Sequence, residues 1–128
     1  MPLAMLIEDN AMNRKLLRDI MEIRFDVVEA ETAERALELL QGCRPDLVLV
    51  DLQLPGMDGL TFASTLRSVP EAAGVPVVAL TSHAMRGDRE RAIAAGCVGY
   101  LSKPIDTRTL SDELRALIKP SQPASVSA

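Results

Sequence analysis

Four charged residues stand where three apolar runs end. Glu8 and Asp9 follow Leu3–Ile7, Asp51 follows Leu47–Val50, and Lys103, with Pro104 behind it, follows Val98–Ser102. If these runs are parallel strands of one sheet, their carboxyl ends share an edge, and in open α/β sheets that edge is where ligands bind. Three carboxylates and one ammonium then meet in a single crevice. Crowded carboxylates disfavour one another's ionised forms, and a hard divalent cation that takes oxygen ligands relieves the repulsion. The chemistry that suits such a cluster is the handling of phosphate.

The elements that must position these residues alternate along the chain. Helical spacing of Leu16, Leu17, Ile20 and Met21 predicts a first helix over residues 12–23, with Asn10 as its cap and a short strand, Phe25–Val28, after it. Thr32 can cap a second helix with Ala36, Leu37 and Leu40 turned inward, ending near Gly42 before Pro45. The run 47–50 is apolar on both faces, which suggests a parallel strand covered on both sides. Residues 54–59, Leu-Pro-Gly-Met-Asp-Gly, read as a loop, 60–68 as a third helix and 75–80 as a fourth strand. A fourth helix over about 84–95 is closed by Gly96, a fifth strand covers 98–102, and a last helix covers 107–118, where Leu110, Leu114, Leu117 and Ile118 are apolar. Met5, Met12, Met21, Met57 and Met85 are most simply core and rim fillers. Residues 1–119 are expected to form one domain, and the polar segment 120–128 a flexible tail.

Bulk properties narrow the class. A chain of 128 residues with 48% hydrophobic content can bury one core but not two. A net charge of -4 with no basic run argues against nucleic-acid binding. The apolar stretches are strand-sized, and Met1-Pro2 leads directly into the first strand, so a cytoplasmic protein without membrane element or leader is expected. Cys43 and Cys97 form no CxxC pair and read as reduced, inert thiols.

Five βα units with right-handed crossovers fit a flavodoxin-like doubly wound (βα)5 parallel sheet, strand order 2-1-3-4-5, with its switch point between strands 1 and 3. Glu8-Asp9-Asn10, Asp51 with the loop 54–59, Ala79-Leu-Thr81, and Tyr100-Leu-Ser-Lys103-Pro104-Ile-Asp106 fall at the ends of strands 1, 3, 4 and 5. With these motifs the chain resembles, over residues 3–119, the receiver domain of two-component response regulators. The runs 8–13 and 81–88 resemble most the stand-alone DivK-like and CheY-like receivers and those of hybrid kinases.

The resemblance implies roles. Asp51 is carried over as the phosphoacceptor, taking a phosphoryl group from the phosphohistidine of a sensor histidine kinase or histidine phosphotransferase. Mg²⁺ is expected on Asp9, Asp51 and the main-chain carbonyl of Gln53, with Glu8 acting through water. Lys103, on a turn suited to a cis Pro104, offers a point charge to the phosphoryl oxygens, Thr81 a hydroxyl, and Leu52 and Ser82 main-chain N–H groups. His83 becomes a rim residue governing water access. Tyr100 is the ring that swings inward as Thr81 moves, so Thr81 and Tyr100 form the switch. Output to a downstream protein target is expected through the fourth helix, fifth strand and last helix. The implied protein is a signalling switch, not a classical enzyme, with self-catalysed phosphotransfer and slow autodephosphorylation. It needs no nucleic acid, membrane or small-molecule substrate beyond phosphodonors.

Plainer readings exist for each residue alone: Asp51 as a turn residue, Glu8-Asp9 as a capping pair, Lys103 as a surface cation, Tyr100 as core, and Arg86, Arg89 and Arg91 among Asp88 and Glu90 as a solvated helix face. An aspartyl phosphatase would place a second Asp where Gln53 stands. A flavodoxin-like electron carrier needs a phosphate-binding first loop and stacking aromatics, which Glu8-Asp9-Asn10 and 2% aromatic content do not provide. A degenerate docking receiver would not keep the acid, Thr and Lys set. Three departures from the receiver pattern stand out: Arg24-Phe25 where a glycine is usual, Ala33 likewise, and Ser82 for alanine or glycine.

Overall fold

The computed structural model describes residues 1–70, 72–82 and 87–118. Strands β1 (Leu3–Ile7), β2 (Asp26–Ala30), β3 (Leu47–Asp51), β4 (Val77–Thr81) and β5 (Gly99–Ser102) alternate with helices α1 (Ala11–Met21), α2 (Ala33–Leu39), α3 (Gly59–Arg67), α4 (Asp88–Ala94) and α5 (Leu110–Leu117). The strands form one parallel sheet in the order β2-β1-β3-β4-β5, the expected flavodoxin-like topology.

Strand alternation divides the core into two layers. Ala4, Leu6, Leu47, Leu49, Val78 and Leu80 pack with Leu17, Ile20 and Met21 of α1 and Leu110 and Leu114 of α5. Met5, Ile7, Val48, Val50, Val77 and Ala79 face the other way, against residues of α2, α3 and α4 such as Ala36, Phe62, Leu66 and Ala92. Every residue of β3 and β4 is buried, as a doubly covered parallel sheet requires.

Local chemistry sets the helix ends. Asn10, Thr32 and Asp58 accept from the N–H groups of Asn13, Arg35 and Thr61 at 2.9, 3.0 and 2.8 Å. Gly96, at φ +105°, closes α4, and the stem of Arg67 fills the space its Cβ would need. The absent glycine after α1 is compensated without left-handed backbone: Ile23 N–H donates to Ile20, and Arg24 and Phe25 N–H both donate to Met21.

Several expectations are corrected. Helix α1 ends at Met21, not Ile23, and β2 runs 26–30, with Phe25 buried just before it. Leu16 is 50% exposed and Met12 83% exposed, so neither fills the core. Leu16 sits about 100° around the helix from Leu17, past the margin of the buried stripe centred on Leu17, Ile20 and Met21. Helix α2 stops at Leu39, and Gly42 is not its left-handed cap. Strand β4 starts at Val77 and helix α5 at Leu110, residues 107–109 forming turns. Residues 84–86 of the expected fourth helix, with Met85, and the segment 119–128 lie outside the described residues.

Candidate functional site

The switch point of the sheet lies between β1 and β3. Ile7 pairs with Val50, so the residues that follow, Glu8 and Asp51, emerge side by side. Glu8 is 1% and Asp51 5% exposed, while Asp9 is exposed; oxygen atoms of the three carboxylates lie within 4.8 Å of one another. Main-chain N–H groups hold the two buried acids in place. Asn10 N–H donates to Glu8 Oε2 at 3.2 Å, and Gln53 N–H donates to Asp51 Oδ1 at 2.8 Å in a local Asx turn.

Lys103 reaches this pair from the end of β5. Its N–H donates to Thr81 O at 2.7 Å, its bond to Pro104 is cis, and Nζ stands 3.3 Å from both Glu8 Oε1 and Asp51 Oδ2. Burial, reinforced by the charge of Asp51, pushes the Glu8 carboxyl above the usual carboxylate range, although Asn10 N–H and Lys103 pull the other way. Burial works against the Lys103 ammonium, but Asp51 and Glu8 outweigh it and raise its pKa. One lysine is therefore shared by the two buried acids, with the third, Asp9, beside them. The donor set is all hard oxygen, close together and short of positive charge, which fits a small divalent cation.

The loop after Asp51 is pinned from beneath. A Cβ on Gly59 would lie 2.7 Å from Asp51 O and 2.9 Å from Leu52 Cα, so only glycine lets α3 begin this close to the acid. Glu34 of α2 accepts from Met57 N–H at 3.2 Å and steadies the far side of the loop. Arg14 of α1 donates to Glu8 O at 2.9 Å and pairs with Glu29, which also binds Arg18. Neither Glu34 nor Arg14 was found from sequence, since both act across elements that only the folded chain brings together.

On the β4–β5 side, Thr81 is fully buried and Ser82 exposed. The Gln53 carboxamide spans them: Nε2 donates to Thr81 Oγ1 at 2.8 Å, and Ser82 N–H donates to Oε1 at 3.4 Å. This contact, too, was missed. Sheet pairing could have revealed it, because Asp51 pairs with Leu80 and the chain two residues on brings Gln53 abreast of Ser82. The Leu52 N–H, expected among the cradle donors, lies in the sheet and donates to Leu80 O at 2.8 Å. Tyr100 pairs with Ala79 in the sheet, so its ring shares the face of Thr81 and packs against the α2–α4 layer. Its hydroxyl is buried and has no partner among the described residues; burial and then the charge of Asp88 raise its pKa. Asp88 in turn pairs with Arg91. His83 lies outside the described residues. Beside Lys103, Leu16, Leu17, Pro104 and Ile105 line a largely apolar groove of about 260 Å³ between α1 and the β5–α5 loop.

A doubly wound sheet of this order, with clustered acids at its switch point and a lysine from the last strand, defines the receiver class. Residues 4–115 match the response regulator receiver domain family, and the chain belongs to it. Its relatives include the polar-differentiation response regulator DivK of Brucella anthropi, 37% identical over 115 residues, which is 89% of this chain and 94% of that protein. DivK of Brucella ovis is 36% identical over the same span. The chain is thus a DivK-like receiver of two-component signalling. Among solved structures it resembles the receiver domain of the sensor histidine kinase PA1611 from Pseudomonas aeruginosa PAO1, which has a magnesium ion coordinated in its active-site cleft. That likeness has a TM-score of 0.83 at 30% identity and covers 91% of this chain and 97% of that one. The chemotaxis protein CheY4 of Vibrio cholerae shares the fold, with a TM-score of 0.85 at 24% identity over 91% of this chain and 98% of its own. No helix among the described residues is long and apolar enough to cross a membrane.

Proposed function

We propose that this receiver is a phosphoacceptor switch of a phosphorelay, acting in the cytoplasm and signalling through altered protein–protein contacts. The observation that carries the reading is Asp51, a buried carboxylate beside Glu8 and Asp9 with Lys103 Nζ 3.3 Å away. In the step proposed, an Asp51 Oδ attacks the phosphorus of a phosphohistidine presented by a sensor kinase or phosphotransferase. The new O–P bond forms as the P–N bond breaks, and the imidazole leaves with its electron pair.

Such a transfer needs alignment and charge neutralisation more than bond-making machinery. The Gln53 N–H bond to Oδ1 fixes the carboxylate's orientation, and Lys103 is placed to follow the negative charge from carboxylate to phosphoryl oxygens. Asp9, Asp51 and the Gln53 carbonyl would hold Mg²⁺, with Glu8 behind a water. When bound, Mg²⁺ supplies positive charge to the phosphoryl oxygens and relieves the acid cluster. Thr81 and Ser82 N–H would then bind the phosphoryl group, with Tyr100 following Thr81 and His83 at the rim. The apolar groove beside Lys103 gives the donor protein a surface next to the acceptor. Output runs through the face of α4, β5 and α5.

The test is incubation with Mg²⁺ and acetyl phosphate followed by mass spectrometry. One base-labile phosphoryl group is expected in the wild type and none in Asp51→Asn. Label that persists in Asp51→Asn overturns the assignment.

A further inference from the structure

The side chain of Gln53 is bonded to both groups that a phosphoryl group on Asp51 would need, accepting from Ser82 N–H and donating to the Thr81 oxygen. Its backbone N–H already binds Asp51 Oδ1 at 2.8 Å. From that anchor the carboxamide crosses to β4, where Nε2 donates to the Thr81 hydroxyl at 2.8 Å and Oε1 accepts from Ser82 N–H at 3.4 Å. One residue thus ties the acceptor to both candidate phosphoryl-binding groups. The tie is made from an exposed position to a threonine that is wholly buried.

We infer that the Gln53 carboxamide is an internal placeholder, which holds Thr81 and Ser82 in the resting arrangement and must be displaced before they can bind a phosphoryl group. The inference rests on the phosphoacceptor reading of Asp51 and deepens it. A phosphoryl oxygen and Gln53 Oε1 are both acceptors and compete for the same Ser82 N–H. The Thr81 hydroxyl, drawn toward Nε2, has to turn toward Asp51 to donate to the phosphoryl group. The resting arrangement is therefore stabilised by bonds that the phosphorylated one lacks, and a ligand shifts such an equilibrium only by its differential affinity for the two states. Gln53 makes phosphoryl binding weaker than the pocket alone would allow. It acts as a positioning residue whose length and amide chemistry set the bias of the switch.

The inference is tested on the full chain by titrating beryllofluoride, an unreactive tetrahedral phosphoryl mimic, at saturating Mg²⁺. Gln53→Ala removes the placeholder, and Gln53→Met keeps its length and bulk without the amide. Both should bind the mimic about fivefold more tightly than the wild type, the factor expected when the ligand no longer displaces one net hydrogen bond. In the ligand-free protein, Ser82 N–H should exchange with solvent faster in both variants. A role confined to holding the loop together would weaken binding instead, because a disordered cradle has to be reordered by the ligand. Equal or weaker binding by Gln53→Met overturns the inference and leaves the phosphoacceptor reading standing. Failure of the wild type itself to bind beryllofluoride overturns both.

Discussion

The two halves of the sheet's carboxyl edge are held by different means. At β1 and β3 the strands are almost entirely buried, and the acids that leave them are fixed by main-chain N–H groups and by the shared Lys103. Arg14, itself locked to Glu29, adds a further hold on the Glu8 carbonyl. At β4 and β5, beyond the main-chain bond from Lys103 N–H to Thr81 O, the ties are side chains. Thr81 and Ser82 are bridged by Gln53, the Tyr100 hydroxyl is buried without a partner among the described residues, and β5 is only half-buried. Helix α4 is preceded by Gly87, φ +90°, which gives it no side-chain cap bond. Bonds from main chain to carboxylate move only if the backbone moves, whereas a neutral side-chain bond exchanges for about 1 kcal/mol net. A charge cluster that must stay assembled thus sits beside hydroxyls that are cheap to rearrange, which is the division a switch requires.

The sharpest way to break this contrast is to disturb the fixed half from below. Gly59→Ala drives a Cβ to 2.7 Å from Asp51 O and 2.9 Å from Leu52 Cα, both backbone atoms that cannot swing aside. Unfolding in urea should show a loss of about 2 kcal/mol, typical of overpacking a close contact. Gly42→Ala is the control: no atom lies within 4 Å of its Cβ and its φ is not positive, so its stability should change by less than about 1 kcal/mol in either direction. Equal effects of the two changes would show that the loop under Asp51 is as pliant as a surface turn.

A second measurement addresses the charge of the fixed half. Glu8 has its pKa raised from 4.5 in the folded protein, chiefly by burial and then by Asp51. A raised carboxyl contributes stability that is fully present below its unfolded value and is lost as pH rises through its folded one. In EDTA, the wild type should lose stability as pH climbs upward from 4.5, and Glu8→Gln should flatten that loss. Adding Mg²⁺ should restore wild-type stability mainly on the alkaline side of this window, where Glu8 is ionised. A wild-type profile in EDTA that parallels Glu8→Gln would mean that neither burial nor Asp51 raises the Glu8 carboxyl.

The meeting of the acids with Lys103 was legible in the sequence because it follows from strand ends. Apolar runs ending in Glu8, Asp51 and Lys103 need only a parallel sheet of the right order to converge, and cap residues such as Asn10 and Thr32 act on their own neighbours. What escaped was lateral. The Gln53 amide, the Glu34 carboxylate and the Arg14 guanidinium reach across to another element, and nothing in their local spacing marks the atom they meet. Leu16 misled for a related reason: periodicity marks an apolar stripe, but a residue at its margin can line a surface groove as readily as the core, and here it does. Helix ends moved by a few residues where the stop came from local main-chain turn bonds, as after Met21, and not from a glycine.

The smallest expected effect probes the movable half, at Tyr100. A buried hydroxyl with no partner among the described residues contributes a desolvation cost and no bond there, so Tyr100→Phe should leave stability unchanged or raise it by up to about 1 kcal/mol. The ring, not the hydroxyl, packs against the α2–α4 layer on the face it shares with Thr81. Phosphorylation-dependent affinity for a partner protein should therefore survive in Tyr100→Phe and fall in Tyr100→Ala, while both variants still accept phosphate on Asp51. Thermal unfolding and a partner-binding assay on the same two variants separate the contributions. A Tyr100→Phe protein that is clearly less stable than wild type would show that the hydroxyl is bonded in the resting state. The β4–β5 half would then be held as firmly as the acids, and the contrast between the two halves would fail.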